Sequence, residues 1–150
     1  MNRRLSLFAA FVILVGCAIQ AITILLYLAP LLVLRGGNSL SAFTAEQLQA
    51  LALLFLKLNA SAFDIYLVFS GLWCFLVGLV IFRSTFLPRI IGVLLVIAGL
   101  GWMIYLSPPL AHRRFMPYIA GASALGEIPL MLWLLVVGVN EQRWKAQASS

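Results

Sequence analysis

The chain has 150 residues, of which 64% are hydrophobic and only 9% are charged. A soluble domain of this size leaves much of its surface exposed, so this composition excludes an ordinary water-soluble protein and indicates one membrane domain. Lysine and arginine number 10 against 4 acidic residues, a net charge of +6. These basic residues are scattered in pairs without a continuous basic face, which argues against nucleic-acid binding and places them beside lipid headgroups.

The first apolar run predicts a membrane span over residues 6–34, longer than the roughly 20 residues that cross hydrocarbon. The four residues from Leu14 to Cys17 also fit a bacterial lipobox, which would leave Cys17 lipidated at a new N-terminus. The apolar run continues far beyond Cys17, unlike a signal segment, so we favour the span. One face of this helix carries a small and polar stripe at helical spacing: Gly16, Gln20, Thr23 and Tyr27.

The second predicted helix begins at a capping box, with Thr44 as N-cap and Gln47 three residues later. Its pattern continues to Phe82, a rod of about 57 Å against roughly 40–45 Å for a whole bilayer. The first part of this helix must therefore lie in the interface, protrude or bend near Asn59, and we favour an amphipathic interfacial helix over residues 45–58 followed by a span over residues 59–82. A seven-residue spacing along this helix places two charges and two glycines on one stripe: Lys57, Asp64, Gly71 and Gly78.

The third span is predicted over residues 90–106, where Gly92 and Gly99 belong to a second close-packing stripe. The fourth is predicted over residues 117–139. The expected fold class is therefore all-α, an integral membrane four-helix bundle with an amphipathic interfacial helix leading into the second span. Basic residues favour one side of this bundle by six to four, which predicts both termini in the cytoplasm of a bacterial cell and the protein in its cytoplasmic membrane.

Glu127, in the fourth span, is the residue that most needs a partner. An ionised carboxylate near the membrane centre costs about 3 kcal/mol, so it must find a donor, reach water or take up a proton. Pro129, two residues later, removes the hydrogen bond to the carbonyl of Leu125 and predicts a kink. Helical rise places Asp64 about 9 Å nearer the outer surface than Glu127, too far for a direct pair.

These polar residues suggest one outward-facing cavity between the helices, with both acids in its wall and the loop cations at its mouth. The predicted ligand-binding residues are Glu127, Asp64, Asn59, Tyr66, Arg113, Arg114 and His112, with Gln20 and Tyr27 as further neighbours. Two simpler interpretations stay open. Glu127 and Asp64 would hydrogen-bond to serine, tryptophan or backbone groups and fix the helix packing, and Lys57 would pair with Asp64 or a lipid phosphate.

Catalytic and metal-binding patterns do not occur in the sequence. There is no Ser/His/Asp set, Walker loop or dinucleotide fingerprint, and one histidine with two isolated cysteines, Cys17 and Cys74, does not form a zinc pattern. We therefore predict no catalytic residue, no metal and no cofactor, and favour a binding or structural protein over an enzyme.

Residues 51–140 resemble a bacterial membrane family catalogued as domain-of-unknown-function family 4386. The resemblance is carried by Phe63-Asp64-Ile65, Gly71-Leu72, Phe82-Arg83-Ser84, Phe86-Leu87-Pro88-Arg89, Gly92-Val93-Leu94-Leu95, Ala98-Gly99-Leu100-Gly101, Gly126-Glu127, Leu132-Trp133-Leu134-Leu135 and Gly138-Val139-Asn140. It implies an integral membrane protein over the last three spans, and it implies no particular activity.

Three functions fit these observations. The first is a small multi-pass membrane protein that binds a small amphiphile or a lipid headgroup in the polar cavity. The second is a non-catalytic structural or interaction subunit, whose glycine stripes contact a second copy or another membrane protein. The third is a proton-coupled carrier acting as an oligomer. The expected partners are membrane lipids, with a homo-oligomer or a membrane protein in the last two cases, and no nucleic acid.

Overall fold

A computed structural model describes residues 3–36, 40–84, 87–106 and 115–138 of the chain, and these residues fold into four α-helices without a strand. The helices are α1 (Arg3–Arg35), α2 (Ala45–Phe82), α3 (Arg89–Trp102), which a short 3-10 helix (Met103–Leu106) extends, and α4 (Met116–Val136). The predicted all-α four-helix fold is therefore confirmed.

Four helices in the described part of the chain are long and apolar enough to cross a membrane. These candidate spans are Arg4–Arg35, Ala45–Phe82, Arg89–Leu106 and Met116–Val136. Helix α2 continues through Asn59 without an interruption, as the sequence pattern predicts, and a bend near Asn59 stays a prediction. The Asn59 side chain bonds to α1 instead of competing for the backbone of its own helix. The location of residues 45–58 in the membrane interface stays a prediction.

The ends of α2 and α4 follow their local sequence. The hydroxyl of Thr44 accepts a hydrogen bond from the Gln47 N–H at 3.3 Å, and the Thr44 N–H donates to Gln47 Oε1 at 2.9 Å. This reciprocal pair confirms the predicted capping box. At the end of α4, the N–H groups of Val137 and Gly138 both donate to the Trp133 carbonyl, and Gly138 takes the positive φ of 69° that this cap requires.

The central helix of the bundle is α2, with α1 packed on one side and α3 on the other. The α1–α2 hairpin is antiparallel along much of its length. Near one end Ala9 packs against Leu76, and further along the Asn59 Nδ2 donates to the Thr23 carbonyl at 2.6 Å. This bond ties the polar stripe of α1 to α2, so that Asn59 holds two helices together.

Glycines bring α2 and α3 into backbone contact. A Cβ added to Gly71 would lie 2.9 Å from the Gly99 carbonyl oxygen, and one added to Gly78 would lie 2.7 Å from the Gly92 carbonyl oxygen. Both predicted glycine stripes are therefore packing faces, and they face each other within one chain. These four glycines are not available to join two copies, so an oligomer would have to form through other faces.

Helix α4 packs against α3 and reaches across it to α2. Gly126 permits this, because a Cβ at that position would lie 3.1 Å from the Leu94 carbonyl oxygen of α3. Trp133 packs against a buried cluster that contains Cys74 and Leu95. The close approach at Gly126 turns the neighbouring Glu127 toward α2.

Candidate functional site

The Glu127 carboxyl group lies between α4 and α2. Its Oε1 accepts a hydrogen bond from Ser123 Oγ at 2.8 Å, one turn earlier on α4, and another from the Cys74 thiol of α2 at 3.4 Å. The thiol is fully buried, so this contact lies inside the bundle. One oxygen of Glu127 is therefore satisfied by two neighbours, as an acid at mid-membrane depth requires.

The network extends to the third helix through Trp102. The indole N–H of Trp102 donates to Ser123 Oγ, whose own hydroxyl proton is directed to Glu127. Trp102 is 9% exposed and Ser123 is 3% exposed. Hydrogen bonds thus join α2, α3 and α4 at one point. One oxygen of Glu127 therefore takes part in helix packing, as the simpler interpretation of this residue proposed.

A groove of about 360 Å³ runs between α2 and α4 beside this network. Its lining is mostly apolar or aromatic and consists of Phe63, Tyr66, Leu67, Ser70, Trp102, Ala120, Ser123, Ala124, Glu127, Ile128 and Met131. The second oxygen of Glu127, Oε2, accepts no hydrogen bond from the described residues, and it is not a buried atom. Glu127 therefore adds an acceptor to a groove whose lining is otherwise mostly apolar or aromatic.

Asp64 lines a different groove from Glu127, so the described residues do not place the two acids in one cavity. That groove, of about 600 Å³, is lined on α2 by Asp64, Ile65, Val68 and neighbouring residues, and the Glu127 groove by none of these. Residues two apart on a helix are rotated by about 200°, so Asp64 and Tyr66 point to opposite faces of α2. Helical spacing along one chain segment could not show which face the fourth helix covers.

Two other predicted residues have different roles. Tyr66 lines the Glu127 groove beside Phe63, with ring centroids 5.8 Å apart. The Asn59 amide is used in the bond to α1 and lines neither the Glu127 groove nor the Asp64 groove.

The other described residues predicted near the cavity are not found in the lining of these two grooves. Gln20 and Tyr27 line neither of them, and the Gln20 Oε1 is buried without a hydrogen-bond partner. Lys57 and Asp64 are both exposed, and no ion pair joins them. His112, Arg113 and Arg114 lie outside the described residues, so their place at a cavity mouth stays a prediction.

Sequence reasoning missed Cys74 as a partner of Glu127 and Trp102 as a partner of Ser123. The four-residue spacing of Ser123 and Glu127 is a readable signal, because such residues meet on one helix face. Trp102 and Cys74 belong to other helices, and only the packing of α2 and α3 brings them to Glu127. Within the described residues, no group of three or more histidine, cysteine or acidic side chains is placed to hold a metal ion.

Four apolar helices of membrane length, with one acid held between them, define the class as a small helical multi-pass membrane protein. The sequence matches the family described as "Domain of unknown function (DUF4386)" over residues 1–138, and the chain belongs to that family. The match includes α1, which extends the resemblance beyond the last three spans.

A curated relative supports the same assignment without naming an activity. An uncharacterised protein of Archaeoglobus fulgidus is 30% identical over 78 residues, which are 52% of this chain and 47% of that protein. The match thus covers about half of the relative's length, and the relative is archaeal, so a bacterial location stays a prediction. No solved structure matches the chain.

Proposed function

We propose that this protein binds a small amphiphile in the groove between α2 and α4, with Glu127 as the polar contact. The observation that carries the proposal is the unequal use of the Glu127 oxygens. Oε1 accepts hydrogen bonds from Ser123 and Cys74, whereas Oε2 accepts none from the described residues, and Glu127 lines the groove. A fixed carboxylate with one open oxygen suits a ligand that donates a hydrogen bond.

The lining defines the chemistry of such a ligand. Most of the groove is apolar, and Phe63, Tyr66 and Trp102 supply aromatic surface. On α4, the small side chains of Ala120 and Ala124 leave room for a ligand. The only acid in this lining is Glu127. A ligand with an apolar body and an ammonium or hydroxyl group would bury its body against the rings and place its donor at Oε2.

The glycine stripes no longer support the alternative of a structural subunit. Gly71, Gly78, Gly92 and Gly99 contact one another within the chain, so they do not indicate a second copy. A proton-coupled carrier would also use Glu127, but the observed bonds to Ser123 and Cys74 lead toward the buried interior rather than along a path across the bundle. Ligand binding is therefore the function that the geometry supports best.

The test measures whether an amphiphile reaches Trp102. In a variant of the full chain that retains Trp102 as its only tryptophan, with Trp73, Trp133 and Trp144 changed to Phe, a brominated long-chain primary amine is titrated in mild detergent. Bromine quenches tryptophan fluorescence only on contact, and Trp102 is nearly buried. We expect saturable quenching by the amine and weaker quenching by the brominated fatty acid of equal length, because the carboxylate repels it.

Glu127→Gln supplies the matched control in the same background. Glutamine keeps an oxygen that accepts from Ser123, so the helices should pack as before, but its neutral amide attracts an ammonium group less strongly. The amine and the acid should then quench alike. Linear, unsaturable quenching in the parent, or a preference for the amine that survives Glu127→Gln, would contradict the proposal.

A further inference from the structure

The larger groove, on the opposite face of α2, carries an acid that no described residue neutralises. It lies beside the 3-10 helix and is lined by Ser61, Asp64, Ile65, Val68, Phe69, Tyr105 and Leu106. Asp64 is exposed and makes no hydrogen bond or ion pair within the described part of the chain, and it shares this lining with the phenol of Tyr105. A carboxylate at the edge of an apolar groove is suited to bind the cationic group of a ligand.

The packing of the helices gives the depth of this groove. Gly71 of α2 meets Gly99 of the antiparallel α3, and seven residues lead from that pair to Asp64 on one helix and to Leu106 on the other. Both steps cover about 10 Å in the same direction. Asp64 is therefore level with the end of the third span, where acyl chains give way to headgroups.

Lys57 supplies an opposite charge further along the same face of α2. It lies two turns beyond Asp64, a rise of about 10.5 Å along the helix axis, and it is exposed. The long lysine side chain is flexible and can bend toward Asp64, so both charges can reach one small headgroup. A phosphate ester of a two-carbon amino alcohol offers an ammonium to Asp64 and a phosphate to Lys57.

We propose that this groove binds a zwitterionic phospholipid whose headgroup ends in a primary ammonium. A primary ammonium has three N–H donors, and three side chains of the groove carry oxygen acceptors, Ser61, Asp64 and Tyr105. A quaternary ammonium has no N–H to donate, and an anionic glycerol headgroup brings no positive charge to Asp64. The acyl chains then follow the apolar wall toward Val68 and Phe69. The site is separate from the Glu127 groove and does not depend on its ligand.

Native mass spectrometry of the delipidated full chain in mild detergent tests this site. The probes are phosphatidylethanolamine, phosphatidylcholine and phosphatidylglycerol with identical acyl chains. We expect phosphatidylethanolamine to bind with a Kd about fivefold to tenfold lower than the other two lipids, the range for one or two charge-assisted hydrogen bonds near a surface. Asp64→Asn should abolish this preference, and Lys57→Gln should weaken the binding of phosphatidylethanolamine and phosphatidylcholine alike.

Three variants distinguish loss of lipid binding at this site from loss of folding and from effects at the Glu127 groove. Asp64→Asn changes an exposed residue and should leave the helical circular dichroism unchanged. Tyr105→Phe removes one oxygen and should reduce the preference about twofold to threefold, which keeps the test decisive if Asp64→Asn fails to fold. Glu127→Gln should keep the full preference. Equal binding of phosphatidylethanolamine and phosphatidylcholine, tighter binding of phosphatidylglycerol, or a preference that survives Asp64→Asn would overturn the proposal.

Discussion

Gly99 and Gly71 are in backbone contact across α2 and α3. A Cβ added to Gly99 would lie 2.5 Å from the Gly71 carbonyl oxygen and 2.6 Å from the Phe75 backbone nitrogen. Neither atom belongs to a side chain that can rotate away, so a larger residue forces the helices apart. The same close packing places Trp102, three residues after Gly99, where its indole meets Ser123.

We expect Gly99→Ala to destabilise the folded protein by about 1–3 kcal/mol, the usual cost of overpacking a tight contact. The measurement is the midpoint of unfolding in sodium dodecyl sulfate, followed by circular dichroism. Gly121→Ala is the matched control, because nothing lies within 4 Å of a Cβ at that position of α4. Alanine favours a helix there, so the control should be neutral or slightly stabilising. Equal midpoints for the two variants would refute the backbone contact.

Ser123→Ala removes the acceptor of the Trp102 indole and a donor to Glu127 at once. We expect a loss of about 1 kcal/mol, since buried hydrogen bonds within membrane proteins contribute modestly. Trp102 fluorescence should also shift, because its N–H loses its partner. Ser70→Ala is the control, as Ser70 lines the same groove without a hydrogen bond in the described structure. An unchanged midpoint and spectrum in Ser123→Ala would show that the Trp102–Ser123 bond contributes nothing.

The two cysteines should differ in their reaction with N-ethylmaleimide. Cys17 is exposed on α1, whereas Cys74 is fully buried and donates to Glu127. In mild detergent we expect Cys17 to be alkylated at least about tenfold faster, because a thiol must be accessible to react. The Cys17→Ser variant isolates Cys74, which should react only after unfolding in sodium dodecyl sulfate. Rapid labelling of Cys74 in the folded Cys17→Ser protein would show that the bundle core is open.

Asn59→Ala tests the bond between α1 and α2. The Asn59 Nδ2 donates to the Thr23 carbonyl at 2.6 Å, and its loss should reduce stability by about 1 kcal/mol. Gln49→Ala, on an exposed face of the same helix, should leave the unfolding midpoint unchanged. If Asn59 serves instead as a ligand contact, its alanine variant would unfold like the parent and lose amphiphile quenching.

The sequence predicted the helices and their packing faces well. Apolar length located all four helices, the Thr44–Gln47 pair marked the start of α2, and glycine spacing marked the faces of α2 and α3. Local propensity and periodicity determine these features, so they are readable without a structure. The bond from Asn59 to α1 was not predicted, because the Thr23 carbonyl that accepts it belongs to another helix.

The candidate site was predicted only in part. Glu127 stood out because an acid within a span needs partners, and Ser123 lay one turn away on the same helix. The seven-residue stripe on α2 was interpreted as one face, and in the described structure Gly71 and Gly78 pack against α3 while Asp64 and Lys57 are exposed. Periodicity shows which residues share a face of a helix, but the length of the neighbouring helix decides how much of that face is buried.

The unequal lengths of the helices have a consequence for the surrounding lipid. Helix α2 has 38 residues, whereas α4 has 21, a difference of roughly 25 Å at 1.5 Å per residue. Because the glycine contact holds α2 against α3, tilting alone does not level the helices. The α1–α2 hairpin therefore extends past the described ends of α3 and α4 on one side of the bundle, beyond the level of Asp64. We expect this apolar extension to lie among the lipid headgroups or to draw nearby acyl chains outward, which makes the protein sensitive to the chain length of its lipids.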